Sequence, residues 1–238
     1  MSRAAILGAK NSGKTTIFKI ITGIREVKAD AQVLGEMKIS DRRLAKLSDM
    51  HNPKKTTYAT IAVSDFRNDG NQAFAFTPQE LVKCELLVFV LRLFEDQSIY
   101  YPFGDKIDPA REYQELLSEI SFKDLEILDK RCEKIKLSMK CAKKNEREVM
   151  DAETALCERL KKQLEEGVDI RKTEFTEQEQ GFIYYYNLIS LKKRLLVLNK
   201  NDATPAGLEN QTLEMLRKGE TNILVFDGKL ELEMSELP

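Results

Sequence analysis

Gly8-Ala9-Lys10-Asn11-Ser12-Gly13-Lys14-Thr15 fits G-x-x-x-x-G-K-[ST], the pattern of a phosphate-binding loop. The flanks of the match agree with it. Ala4-Ala5-Ile6-Leu7 is a short apolar run suited to a buried strand, and Thr16–Ile21 has the apolar spacing of a helix packed on a sheet. Glycines in such a turn let backbone N–H groups curl around an anion. The following helix adds its positive dipole end, and Lys14 reaches the terminal phosphates. The amides of Lys10 through Thr16 are the candidate phosphate contacts, and the Thr15 hydroxyl is a candidate Mg²⁺ ligand. A chance match in a glycine turn would not need a strand before it and a helix after it.

Outward from the loop, Gly23 caps the first helix, and the charged segment Ile24–Leu34 occupies the place of a first switch. No Thr occurs from Gly23 through Ser40, so the usual switch residue for metal and γ-phosphate is absent. Val33–Ile39 alternates as a strand, and Ser40 or Asp41 caps a helix through Arg42–Met50. Thr56–Ser64 is β-branched and alternating, a strand that ends in Asp65. That aspartate reads either as the residue that orders Mg²⁺ or as a simple strand-end cap. The customary D-x-x-G is here Asp65-Phe66-Arg67-Asn68. A further short helix is expected after Thr77-Pro78, and Leu86–Leu91 is a continuous apolar run, as in a strand covered on both faces.

Leu195–Leu198 is another buried strand, and it delivers Asn199-Lys200-Asn201-Asp202, which fits N-K-x-D. An acidic side chain at the last position accepts from guanine N1–H and the exocyclic amine. The Lys stem covers the base face, and the Asn ties this turn to the phosphate loop. Asn222–Phe226 reads as the last strand, and the Asp227-Gly228-Lys229 turn after it completes a base pocket. Lys14, Thr15 and Asp65 are therefore the candidate catalytic residues, with Thr15 and Asp65 at the metal. Asn199, Lys200, Asp202, Asp227 and Gly228 are the candidate base contacts.

Between these halves the composition changes. From Arg111 through Lys144 there is no Gly or Pro, and charge is dense. Leu125, Leu128, Cys132, Ile135 and Met139 form one seam of a long helix. After a charged turn at Lys140–Arg147, Val149, Ala152, Leu156, Leu160 and Leu164 form the seam of a second. The pair reads as an antiparallel hairpin. Its charged faces are solvated surface, or else Lys134, Lys136, Lys140, Lys143 and Lys144 form a basic stripe for RNA or a protein partner. Thr176 with Glu179 makes a capping box for a helix running to Leu191.

Over the 238 residues, 42% apolar and 32% charged content and a net charge of −1 describe a globular protein without global attraction to nucleic acid or anionic membrane. No apolar run suits a membrane span, and a strand starting almost at Met1 leaves no room for a leader. Cys84, Cys132, Cys141 and Cys157 form no C-x-x-C pair, and there is one histidine, so a Cys/His zinc site is not expected. They read as reduced cytosolic thiols, either inert or, for the three in helices, redox-active. His51 reads as a turn residue.

Gly35–Leu44, Pro53-Lys54-Lys55 with Thr60, Gly70-Asn71-Gln72, Leu91–Asp96 and Asp108-Pro109-Ala110 resemble Obg-like proteins of the YchF type, and the resemblance covers nearly the whole chain. It implies a P-loop G domain carrying an inserted helical hairpin. It also implies slow hydrolysis, potassium assistance through Asn11, and ribosome association. Four departures stand out: Asp202 replaces a Glu that accompanies ATP use, the first switch is short, D-x-x-G is altered with Asp69 at the catalytic-Gln place, and the C-terminal TGS domain has no counterpart.

The expectation is thus an α/β, P-loop G domain over residues 1–111 and 187–238 with a mainly parallel sheet, and a helical insertion over 112–186. GTP or GDP with Mg²⁺, and K⁺ by resemblance, are the expected ligands, with ATP or ADP the alternative. A ribosome or RNA partner is expected, DNA and membrane are not, and the location is cytoplasmic. Hydrolysis, if it occurs, is slow, roughly 10⁻⁴ to 10⁻² s⁻¹; the competing reading is a module that binds nucleotide without hydrolysing it.

Overall fold

A computed structural model describes residues 2–25, 33–66, 78–96, 100–104, 106–141 and 143–237. The expectations for the first switch, for Arg67-Asn68-Asp69, and for Gly70-Asn71-Gln72 lie largely or wholly outside these residues. The chain divides into two compact units: Met1–Thr77, Lys83–Tyr113 and Lys193–Pro238 form one, and Pro78–Val82 with Gln114–Lys192 form the other.

The first unit is built on six strands: β1 (Arg3–Leu7), β2 (Val33–Lys38), β3 (Thr60–Asp65), β4 (Leu86–Arg92), β5 (Lys193–Asn199) and β6 (Ile223–Phe226). Their order is β2-β3-β1-β4-β5-β6. All neighbours are parallel except β2, which runs antiparallel to β3 at the edge. Strands β1, β4 and β5 are almost wholly buried, which is why they read as unbroken apolar runs rather than alternating ones. Helix α1 (Lys14–Thr22) sets Ile17 and Phe18 against Ile6, Val63, Val88, Val90 and Val197. Helix α2 (Arg42–His51) starts at Asp41, whose carboxylate accepts from the Arg43 amide at 2.8 Å; His51 is its last residue rather than a turn residue.

In the second unit, helix α3 (Pro78–Leu81) is followed by α4 (Pro109–Met139), whose residues through Tyr113 belong to the sheet unit. Helix α5 (Lys144–Glu165), a single 3₁₀ turn at Ile170–Lys172 and α6 (Glu177–Tyr186) complete it. Leu128, Cys132, Ile135, Leu156, Cys157, Leu160, Leu164, Ile170, Tyr186 and Leu188 form its core. The second seam begins differently from the expectation. Val149 is 46% exposed and Ala152 is exposed, and Glu153 is the buried residue of that turn. Its carboxylate accepts from Arg131 Nε at 2.7 Å and the Tyr186 hydroxyl at 3.0 Å, so a paired charge takes a place that periodicity gives to apolar residues.

The capping box at Thr176 and Glu179 is present, but α6 stops at Tyr186 because Asn187 turns left-handed (φ 53°). Asp124 accepts from the amides of Ile189 and Ser190 at 2.8 and 2.6 Å, fixing the chain that follows. Back in the sheet unit, α7 (Leu208–Leu216) precedes β6, and α8 (Gly228–Glu236) follows it. Helix α8 packs on α1. From the sequence only the Asp227-Gly228-Lys229 turn is expected there.

Candidate nucleotide-binding site

The phosphate loop leaves β1 at Gly8 and enters α1 at Lys14. It is wound tightly: the Ser12 amide donates to the Ala9 carbonyl at 3.3 Å, and Asn11 holds a left-handed φ of 62°. A Cβ at Gly8 would collide with the Val90 carbonyl. One at Gly13, where φ is 101°, would collide with Asn199 Nδ2. These two glycines therefore answer to close packing on β4 and on the β5 turn. No side chain caps α1, so its first-turn amides, those of Lys14, Thr15 and Thr16, have no acceptor from a cap or from the helix itself.

Lys14 is 7% exposed, and its Nζ donates to the carbonyls of Gly8 and Ala9 at 2.9 and 2.6 Å. An ammonium has three donors, so two hold it across the loop and the third remains. Burial lowers its pKa to about 8, opposed by the nearby carboxylates of Asp65 and Glu112. The Ser12 hydroxyl is fully buried and has no hydrogen-bond partner among the described residues.

Thr15 Oγ1 donates to Asp65 Oδ2 at 2.8 Å, joining α1 to the end of β3, and Asp65 is wholly buried. A hydroxyl and a carboxylate side by side suit a hard cation such as Mg²⁺. Among the described residues, no group of three or more His, Cys, Asp or Glu could hold a metal. A cation here would complete its shell with water and phosphate oxygens, which is how Mg²⁺ is ordinarily held.

Asn199 joins three segments. Its Nδ2 donates to the Ser12 carbonyl at 2.9 Å and its Oδ1 accepts from the Gly228 amide at 3.0 Å. Lys200 is half-buried and pairs with Glu209 of α7 at 3.0 Å. Asn201 shapes the turn: its Oδ1 accepts from the Ala203 amide at 2.8 Å and its own amide donates to Thr204 Oγ1 at 3.0 Å. Asp202 is exposed at the turn's end, as are Lys10 and Asn11 on the phosphate loop.

Asp227, expected in the turn that completes the base pocket, is the N-cap of α8, where its carboxylate accepts from the Leu230 amide at 3.0 Å. Gly228 is buried against Asn199 and buttresses the site from behind. Two residues of this neighbourhood have no signal in the sequence. Glu209 lies nine residues from its lysine, and Glu112 bonds the Ala9 amide across 103 positions.

A loop of this geometry between the first strand and first helix of a parallel sheet, faced by an asparagine-led turn from β5, defines an α/β P-loop domain. No protein-family model matches the chain. It is 28% identical to the ribosome-binding ATPase YchF of Bacillus subtilis, over 98% of this chain and 67% of that protein. For the protein of that name in Mycoplasma genitalium the figures are 28%, 92% and 60%. For Obg-like ATPase 1 of Caenorhabditis elegans they are 23%, 99% and 63%. The chain thus spans about two thirds of the length of these relatives. A solved structure of the Schizosaccharomyces pombe YchF GTPase superposes with a TM-score of 0.79 at 19% identity, covering 100% of this chain and 68% of that one, and it shows the same fold. The chain is thus similar over nearly its whole length to the YchF and Obg-like ATPases.

Proposed function

We propose that the chain binds a guanine nucleotide with Mg²⁺ at the phosphate loop and the Asn199–Asp202 turn. The observation that carries this reading is the pair of hydrogen bonds by which Asn199 donates to the Ser12 carbonyl and accepts from the Gly228 amide, tying the phosphate loop and the base turn into one frame. In that frame the amides of Lys10, Asn11 and Gly13 through Thr16, the Ser12 hydroxyl and the third proton of Lys14 take phosphate oxygens. The carboxylate of Asp202 takes the two guanine donors, and the Lys200 stem lies over the base. Adenine offers the wrong donors to Asp202. Thr15 and Asp65 hold Mg²⁺, which when bound neutralises charge on the phosphates.

Hydrolysis in this reading is slow. Lys14 and the loop amides stabilise charge on the moving phosphoryl group, but the sequence offers no Thr in the first switch, has Asn68 in place of the D-x-x-G glycine and has Asp69 at the catalytic-Gln place. These absences also favour a second reading, a nucleotide-binding module without useful turnover. The names of the relatives favour a third, in which ATP is the ligand. Those names also support ribosome association, with the inserted helical domain and its lysines (Lys134, Lys136, Lys140 and Lys143) as the contacting part, and with it a cytoplasmic location. Asn11 is the residue through which K⁺ would assist.

Calorimetric titration with GDP, GTP, ADP and ATP tests the reading. Guanine nucleotides are expected to bind at least tenfold more tightly than adenine nucleotides, and Asp202→Asn is expected to erase the preference. Tight ATP binding with no GTP binding would overturn the base assignment.

A further inference from the structure

One buried carboxylate has no role in the nucleotide reading. Glu112 lies in the first turn of α4 and is 0% exposed. Its Oε1 accepts from the amide of Ala9, the second residue of the phosphate loop, at 3.3 Å. Its Oε2 accepts from the amide of Arg92, the last residue of β4, at 3.5 Å. An ionised carboxylate in such a place is costly unless nearby charges answer it. The groups that face it are Lys14 on α1, Arg92 on β4, and the Tyr101 phenol from the loop after β4.

Neither cation reaches it with its side chain. Lys14 Nζ is committed to the Gly8 and Ala9 carbonyls. The Arg92 guanidinium turns to the carbonyls of Phe94 and Asp96 and sits 4.7 Å from the centre of the Phe94 ring. Burial keeps the Tyr101 phenol protonated. Glu112 is therefore a charge held by two amides and compensated at a distance, and one compensator is the lysine that phosphates would engage.

We propose that Glu112 is a positioning residue of the phosphate loop, and that a nucleoside di- or triphosphate arriving beside Lys14 drives it to take up a proton from solvent. The inference rests on the phosphate loop being the nucleotide site. The physical reason is that a polyanion draws on the Lys14 charge that had answered Glu112, and like charges nearby disfavour the ionised acid. As a neutral acid, Glu112 keeps acceptor capacity for the loop amide.

Burial already pushes Glu112 up to about 7, opposed by the two amides and by Lys14. Well below that pH the free protein is protonated and binding takes up little. Above it the free protein is ionised, binding draws a proton, and affinity falls as pH rises. Lys14, lowered to about 8, responds in the same direction but at higher pH.

Calorimetry with Mg·GDP at pH 7.5, in two non-phosphate buffers of different ionisation enthalpy, counts the protons. The wild type is expected to take up roughly half a proton. Glu112→Gln is expected to bind with about half a proton less, and Glu112→Asp to restore the uptake. Binding with equal counts in wild type and Glu112→Gln overturns the proposal alone. Absence of binding by all four of GDP, GTP, ADP and ATP overturns the nucleotide reading beneath it. Should Glu112→Gln fail to fold, the wild-type count between pH 6 and 9 decides: uptake centred near pH 7.5 supports Glu112, and uptake appearing only above pH 8 overturns it.

Discussion

In the helical unit, the carboxylate of Glu153 is met by Arg131 and Tyr186, and that of Asp124 by two backbone amides. In the sheet unit, Lys14 spends two of its three protons on loop carbonyls, and the buried Ser12 hydroxyl has no partner among the described residues. Both units place polar groups where water does not reach, at a cost that hydrogen bonds must offset. The helical unit completes those bonds from its own residues, which fixes one arrangement of its helices. The sheet unit leaves donors converging on one turn of chain. The difference separates a polar group kept for packing from one kept for a ligand.

Replacing Lys14 by alanine should break the comparison most sharply. Removing a buried ammonium from the phosphates is expected to weaken Mg·GDP binding by about 3 kcal/mol, roughly two orders of magnitude in Kd. Unchanged affinity by calorimetry would mean that the loop is packing, like the helical unit. Asn199→Ala should cost stability as well, because it strands the Ser12 carbonyl and the Gly228 amide. About 2 to 3 kcal/mol is expected from urea unfolding, with weaker nucleotide binding alongside.

The pH dependence sharpens the contrast further. Burial lowers Lys14 to about 8, so its ammonium is complete at pH 7 and is lost as pH rises through that value. Its charge alone should weaken binding about tenfold between pH 7 and pH 9. Glu153→Gln is the counterpart in the helical unit. Losing the charge opposite Arg131, itself 44% exposed, should cost about 1 kcal/mol of stability by chemical denaturation and leave nucleotide affinity unchanged. A changed affinity would show that the two kinds of buried charge cannot be told apart in this way.

What could be read from the letters follows the same division. Gly8, Gly13, Lys14 and Asn199 were legible because ligand-binding turns restrict residue type at fixed spacing, and the collisions a Cβ would meet, with the Val90 carbonyl at Gly8 and the Asn199 side chain at Gly13, give the restriction a physical form. The strands β1, β4 and β5 were legible as apolar runs because both faces are covered. Glu153 was not, since nothing local announces a buried charge whose partners lie 22 and 33 residues away. Val149 and Ala152 satisfied the seven-residue pattern and still face solvent. Glu112 was hidden for the same reason at greater range. Helix α8 was not read, since only the Asp227-Gly228-Lys229 turn was expected there, and Asp227, a candidate base contact, is also the cap that starts it.

The most direct test of the central claim is a crystal structure of the protein with saturating Mg·GDP. The account predicts the β-phosphate within hydrogen-bond distance of the Gly13, Lys14 and Thr15 amides and of Lys14 Nζ, with the guanine edge on the Asp202 carboxylate. A diphosphate bound elsewhere, or a loop that excludes it while Lys14 stays on its two carbonyls, would contradict it.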